Sequence, residues 1–209
     1  TLDLLPLDIE GTWNLPLLEN AASISDAGLR YARSGLPLAE DAVPIDGIQS
    51  IEEVLPQYDH VLACETGKRS VSLFQFQAPR GKTALLVGNE ERGIPKDILK
   101  KVDDVVSIPM YGPGMSSVNV AVAGAIALYL LERDLGRKGV QRPGLRQEEV
   151  ELLLRAPEDP SELGSLLRSV WAFGWRKVFV DDPHGTWFSQ DSETVLAGRA
   201  AARRSKNPV

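Results

Sequence analysis

A single cysteine, Cys64, in a chain of 209 residues excludes a disulfide framework and any cysteine-based zinc cluster, and it suits a reducing compartment. Histidine is nearly as scarce. His60 and His184 have no partners at metal-ligand or catalytic-triad spacing, so structural roles and no metal site are expected. No apolar run approaches the roughly 18–20 residues of a membrane span. The start, Thr1-Leu-Asp-Leu-Leu, lacks the basic region of a secretory signal, so a cytoplasmic protein without a membrane partner is expected. A basic excess is missing too: 23 Lys+Arg against 29 Asp+Glu leave a net charge of −6. That balance excludes a surface that binds nucleic acid all over and leaves room for a local basic patch. Gly and Pro, 18 and 14, are too few for a disordered chain, and no internal repeat of fixed period is visible. What is there, 43% hydrophobic and 25% charged, describes one globular domain or at most two small ones.

Short apolar runs closed by turn residues read as buried strands at Leu4–Leu7, Val61–Cys64, Ala84–Val87, Val105–Ile108 and Lys177–Val180. Helical patterns alternate with them, which is the mark of an α/β fold. Helices are expected at Gln49–Leu55, at Pro95–Val102 behind a first-turn proline, at Asn119–Arg133, at Arg146–Arg155 and at Ser161–Phe173. Asn119–Arg133 is Ala, Val, Leu and Ile on almost every face until Glu132, so it is expected to be buried all round or to lie in a subunit interface. Asp8–Pro44 is polar and turn-rich and reads as partly irregular, whereas Gly136–Gly144 reads as a flexible basic linker. Cys64 is expected in the core.

Two segments carry chemistry. In Leu85-Leu-Val-Gly-Asn-Glu-Glu-Arg-Gly-Ile-Pro95 a strand runs into Gly88, Asn89 and Glu90, and a helix start follows Gly93. Either this is a plain strand-to-helix turn, or its small residues and backbone amides receive a ligand at the carboxyl end of a parallel strand. It is no P-loop, because the Gly-Lys-Ser/Thr ending is absent. In Val106-Ser-Ile-Pro-Met-Tyr-Gly-Pro-Gly-Met-Ser-Ser-Val-Asn-Val-Ala-Val-Ala123 the strand gives way at Ile108 to a glycine-rich loop. Ser116 or Ser117 can cap the helix. Asn119 brings an amide into the first turn of an apolar helix, where it needs partners that a ligand or the neighbouring loop could supply.

These residues resemble the second and third motifs of the SpoU branch of the SPOUT methyltransferases: Val87-Gly-Asn-Glu-x-x-Gly, about fifteen residues on Ile108-Pro-Met-x-Gly, then Ser117-Val-Asn-Val-Ala-Val-Ala. The loop Gly112–Ser116 is one residue longer than that pattern. The family's first motif, Asn-Pro-x-Asn-x-Gly-x-x-x-Arg followed by Ala-Phe-Gly and a strand, precedes the other two. Before residue 85 the best counterpart is Ile24-Ser-Asp-Ala-Gly-Leu-Arg30, which lacks the asparagines. A better match is Asp159-Pro-Ser-Glu-Leu-Gly-Ser-Leu-Leu-Arg168, then Ala172-Phe-Gly174 and the strand Lys177–Val180, with Asp159 and Glu162 in place of the two asparagines. Two explanations stand open: a circular permutant, or a tandem pair whose second unit is cut short. The working expectation is one rotated domain, with the second and third motifs in 1–135, a linker at 136–145 and the first motif in 146–209. Permutation is tolerated where termini meet at an exposed loop.

The resemblance implies a SPOUT-type α/β domain: a parallel sheet flanked by helices, with a deep trefoil knot, acting as a homodimer. It implies transfer of a methyl group from S-adenosylmethionine to a ribose 2′-hydroxyl of tRNA or rRNA. It places the cofactor against Gly88, Asn89, Gly93, Ile108, Met110, Ser117, Val118 and Asn119, and the reaction at Glu90, Ser117, Asn119 and Arg168. Arginine stays protonated, so Arg168 is expected to stabilise a developing alkoxide or clamp a phosphate rather than act as a base. Arg30 is expected to be a solvated helix residue. Arg199, Arg203, Arg204 and Lys206 are the expected RNA-docking cations, with Arg133, Arg137, Lys138, Arg142 and Arg146 as a second group. Trp171, Trp175, Trp187 and Phe188 could stack a base, though packing suits them better. Two alternatives share this fold: a non-catalytic protein that binds RNA or S-adenosylmethionine, suggested by the substituted asparagines, and a methyltransferase acting on a base nitrogen.

Overall fold

The computed structural model of the chain describes residues 1–40, 42, 44–110, 117–135, 151–155, 166, 169, 170, 172, 173, 177–183 and 185. The chain falls into two compact units, Thr1–Pro109 with Val120–Val140, and Met110–Asn119 with Gln141–Val209.

The first unit is built on a parallel sheet. Its strands are β1 (Leu2–Pro6), β2 (Gly28–Leu29), β5 (His60–Cys64), β6 (Val71–Ser72), β7 (Thr83–Val87) and β8 (Asp104–Ser107), in the order β2-β1-β7-β5-β8-β6. A separate short parallel pair joins β3 (Ala32–Arg33) to β4 (Gln49–Ser50). In β7 every residue is buried, and Leu85 stands opposite Leu4 on one side and Leu62 on the other. A strand covered on both faces carries an unbroken apolar run, as here. Because successive side chains leave opposite faces, Leu5, Ala63 and Leu86 share one core with Ile51 and Val54 of α2 (Ile51–Val54), Ile94 and Ile98. The alternate face, at Leu4, lies under two helices, α1 (Asn14–Ile24) and α3 (Val120–Asp134). A Cβ added at Gly124 of α3 would lie 3.4 Å from Leu18 of α1 and 3.6 Å from Leu4, ordinary contact distances, so α3, α1 and β1 pack together at this point.

The five expected strands are present within a residue or two of the expected bounds. The Asn119–Arg133 helix is present as α3, with Ala121, Gly124, Ala127, Leu128 and Leu131 buried and Tyr129 exposed, so it is not buried all round. Three expectations need correction. Pro95–Val102 is a series of turns instead of a helix: the Leu99 amide donates to the Pro95 carbonyl and the Lys101 amide to the Ile98 carbonyl, and the next turn never forms. The expected helix Arg146–Arg155 ends in a strand, β9 (Leu152–Arg155), and residues 146–150 lie outside the described residues. Gln49–Leu55 holds β4 and only one turn of α2.

In the second unit β9 pairs in parallel with β10 (Val178–Asp181), Leu152 opposite Val178, and Leu154 is buried against Leu152, Val178 and Val180. Of the expected helix Ser161–Phe173, residues 166, 169, 170 and 172 are helical, and the Phe173 amide donates to the Ser169 carbonyl at 3.0 Å. Among the described residues no helix is long and apolar enough to cross a membrane.

Candidate active site

At the carboxyl end of β7 the chain makes a hook that only particular residues can make. A Cβ at Gly88 would lie 2.4 Å from the Gly93 carbonyl carbon and 2.6 Å from the Ile94 nitrogen, so backbone fills the space of a side chain. Asn89 folds the hook. Its buried amide nitrogen donates to the Asp8 carbonyl at 2.7 Å, and its amide oxygen accepts the Glu91 and Arg92 N–H groups at 3.0 Å. Its carbonyl accepts the Gly93 N–H at 3.0 Å. Gly93 closes the turn at φ +65°, where residues with a side chain are strained. Glu65, directly after β5, accepts the Ile94 N–H at 3.0 Å and ties the hook to the neighbouring strand.

Glu90 leaves the hook toward the connection from β1 to α1. One carboxylate oxygen accepts the Gly11 N–H at 2.9 Å and the Asn14 side-chain amide at 2.6 Å, and the other accepts the Glu10 N–H at 3.2 Å. A negative charge on the opening of α1 also complements the partial positive end of that helix. Asp8, buried at φ +53°, accepts the Ser34 N–H at 3.0 Å and the Ser34 hydroxyl. Arg92 donates to the Pro37 carbonyl at 2.6 Å and pairs with Glu10 at 2.5 Å. The carboxyl ends of β1, β7 and β5 thus share one hydrogen-bonded floor. Beside it lies a cleft of about 470 Å³ lined by Leu36, Glu65, Arg92, Gly93, Ile94 and Lys96, among others.

The structure therefore gathers Gly88, Asn89, Glu90 and Gly93, and it puts Ile108, buried, just past the end of β8 on the far side of β5. Met110, Ser117, Val118 and Asn119 belong to the second unit. There Val118 is buried, Ser117 is exposed, and Asn119 immediately precedes the first residue of α3, where a helix cap stands. Arg168, Arg199, Arg203, Arg204 and Lys206 lie outside the described residues, as do Arg137, Lys138, Arg142, Arg146, His184 and the aromatics Trp171, Trp175, Trp187 and Phe188. Arg30 is not on a helix: it follows β2, donates to Gln57 at 2.9 Å and to Gln49, and sits 6.0 Å from the Tyr58 ring. Burial and the Asp3 carboxylate, which accepts the phenol proton at 2.8 Å, push the Tyr58 hydroxyl up to about 12. Burial and the neighbouring Glu65 push the Cys64 thiol up to about 12 as well, so it is unreactive near neutrality. Asp8, Asn14 and Glu65 belong to the floor although nothing in their sequence surroundings marks them.

The model of the SpoU rRNA Methylase family matches residues 25–129, half of the chain. The chain is 34% identical over 109 residues to tRNA (guanosine(18)-2′-O)-methyltransferase of Aquifex aeolicus (strain VF5), covering 52% of this chain and 51% of that protein. It is 37% identical over 90 residues to 23S rRNA (guanosine(2553)-2′-O)-methyltransferase RlmP of Bacillus subtilis (strain 168), covering 40% and 36%. The chain thus spans about half the length of the Aquifex relative and less of the Bacillus one. Among solved structures, the A. aeolicus TrmH/SpoU tRNA modifying enzyme superposes with a TM-score of 0.54 at 23% identity over 82% of this chain and 87% of that one. The AdoMet-bound rRNA methyltransferase from Sinorhizobium meliloti superposes at 0.53 and 21% identity over 64% and 56%. These superpositions establish the fold.

Proposed function

Since the chain belongs to the SpoU rRNA methylase family, we propose that it transfers a methyl group from S-adenosylmethionine to a ribose 2′-hydroxyl of tRNA or rRNA. The observation that carries this reading is the hook at the end of β7, with Gly88 admitting no side chain and Glu90 clasping the start of α1. Its chemistry suits the cofactor. Gly88, Asn89, Gly93, Ile108, Met110, Ser117, Val118 and Asn119 include no cation, so they fit a ligand without phosphates, recognised by backbone groups, small polar side chains and apolar contact.

The sulfonium of S-adenosylmethionine supplies an electrophilic methyl carbon and a neutral thioether leaving group. Bound there, it would give up that methyl to the 2′-oxygen, the carbon–sulfur electron pair staying on sulfur and the hydroxyl proton passing to solvent. The protein's part is placement and charge. Holding the acceptor in line can lower the barrier by several kcal/mol. Arg168 stabilises the developing alkoxide or clamps the adjacent phosphate through its guanidinium. Glu90, with both oxygens occupied by protein donors, acts as a positioning residue that holds the loop before α1. Ser117 and Asn119, at the entry to α3, supply neutral polar groups to the acceptor ribose.

The same reading makes the protein a knotted homodimer. Trp13, Leu17 and Ile24 form an exposed apolar stripe along α1, 79%, 49% and 79% accessible, and α3 adds exposed Tyr129 with half-buried Val122 and Ile126 at helical spacing. A second copy covering this face removes these apolar side chains from water. Ile24→Glu is expected to shift the particle measured by light scattering from two chains to one, and an unchanged dimer sinks this interface. A cytoplasmic location follows from the substrate and from a lone thiol that stays reduced there.

Arg168→Ala tests the chemistry. Transfer of labelled methyl to RNA is expected to fall by about two orders of magnitude or more while calorimetric binding of S-adenosylmethionine persists. Nuclease digestion is expected to leave the label on 2′-O-methylated nucleosides. Label on a base, or full turnover by the variant, overturns the proposal.

A further inference from the structure

The two units contain the same local construction. In the first, β1 leads through α1 to β2, and the strands pair in parallel with partners 25 residues apart, Asp3 with Gly28. In the second, β9 leads through the helical residues 166, 169, 170 and 172 to β10, again in parallel, with partners 26 residues apart, Leu152 with Val178. Setting Leu4 over Leu152 puts Leu5 over Leu153, Leu15 over Leu163 and Leu18 over Leu166. It also puts Asn14 over Glu162, Pro16 over Gly164 and Asn20 over Arg168. The near-constant span, not the residue identities, carries the repeat, which is why no period is visible in the sequence.

The first copy leaves no vacancy for the second. β1 already pairs with β7 along its whole length, and Asn14 of α1 already occupies Glu90 at 2.6 Å. The rotated arrangement needs 146–209 to supply that segment. β10 instead pairs with β9, in a sheet of its own. α1 also differs from its counterpart in charge: Asn14–Ile24 contains no lysine or arginine, and exposed Asn20 stands where the second copy has Arg168.

We propose that the chain is a tandem, the body of one methylase unit followed by the opening strand–helix–strand of a second, and that the first unit's Glu90 site is completed by its own α1. The proposal rests on the methyl-transfer reading for its ligand, S-adenosylmethionine, but not for its topology. Asn14 and Glu90 are positioning residues of this binding site, and Arg168 belongs to a different copy of the element.

Leu154→Asp in the full chain breaks the small core of the second unit. Hydrogen exchange of the β1, β5 and β7 amides is expected to stay within about twofold of the parent, and so is the affinity for S-adenosylmethionine. Asn14→Ala is expected to speed exchange of the Glu10 and Gly11 amides by about tenfold and to weaken that affinity. Loss of protection across β1 and β7 in Leu154→Asp, or failure of the whole chain to fold, overturns the tandem in favour of one rotated domain. Unchanged exchange and affinity in Asn14→Ala overturn the assigned role of α1. If the parent chain binds no S-adenosylmethionine, the methyl-transfer reading fails, and the exchange of Leu154→Asp still decides the topology.

Discussion

Glu90 gathers three donors on two oxygens, the amides of Glu10 and Gly11 and the side chain of Asn14, and its partners lie about eighty residues away in the chain. A carboxylate has acceptor capacity for all three at once, whereas the isosteric amide of glutamine has one oxygen and two N–H donors of its own. In Glu90→Gln either the Glu10 amide or the Gly11–Asn14 pair must therefore face another donor. A partly buried donor left unsatisfied costs about 1–3 kcal/mol, so the unfolding free energy from urea titration is expected to fall by that amount, through a lower midpoint at an unchanged m-value. A variant as stable as the parent shows the clasp to be dispensable. The same geometry separates what this residue does from what its motif suggests: a carboxylate engaged by three protein donors orients a loop.

At the scale of elements, legibility follows the source of each element's stability. β7 is buried on both faces and spells an apolar run, and the neighbouring β5, buried at Val61, Leu62 and Ala63, reads the same way. α1 has no such signature. It starts behind Trp13 with no side-chain cap, carries Pro16 in its first turn and ends at Asp26 with φ +49°. It is held by Leu18, Ala21 and Ala22, buried against a helix a hundred residues away, so tertiary packing makes it a helix where local sequence does not. The Leu152–Leu154 run misled in the opposite direction, because three leucines fit a helix stripe and a strand equally well. The hook's Gly88, Asn89 and Gly93 were legible as a site, while Asp8, Asn14 and Glu65 were not, since a hydrogen bond across the sheet leaves no mark at either end. The α1–α3 contact makes its own prediction at Gly124. A methyl there meets Leu18 and Leu4 at ordinary contact distance, and replacing a helical glycine by alanine gains about 1 kcal/mol of propensity. Gly124→Ala is thus expected to raise the thermal midpoint. Gly124→Leu drives extra carbons into the same two leucines and is expected to lower stability by about 1–3 kcal/mol. The two variants moving together, in either direction, contradict this packing.

For the molecule as a whole, net charge and proposed substrate pull against each other. A chain at −6 repels a polyanion at long range, so an RNA substrate must be held by a cationic segment acting over a distance shorter than the roughly 8–10 Å screening length of physiological salt. Arg199, Arg203, Arg204 and Lys206 place four cations within eight residues, and the acidic residues preceding them are no nearer than Glu193. Phosphate contacts of this kind release counterions, and each contributes about 0.7–0.9 to the slope of log affinity against log salt. Replacing the four with alanine is therefore expected to weaken RNA binding and to flatten that slope by up to about three, with S-adenosylmethionine affinity unchanged because no cation is assigned to that site. Weaker RNA binding at an unaltered slope means the segment acts through packing. An unaltered affinity moves the docking role to Arg133, Arg137, Lys138, Arg142 and Arg146. Only the flattened slope fits an acidic protein that meets RNA through one basic segment.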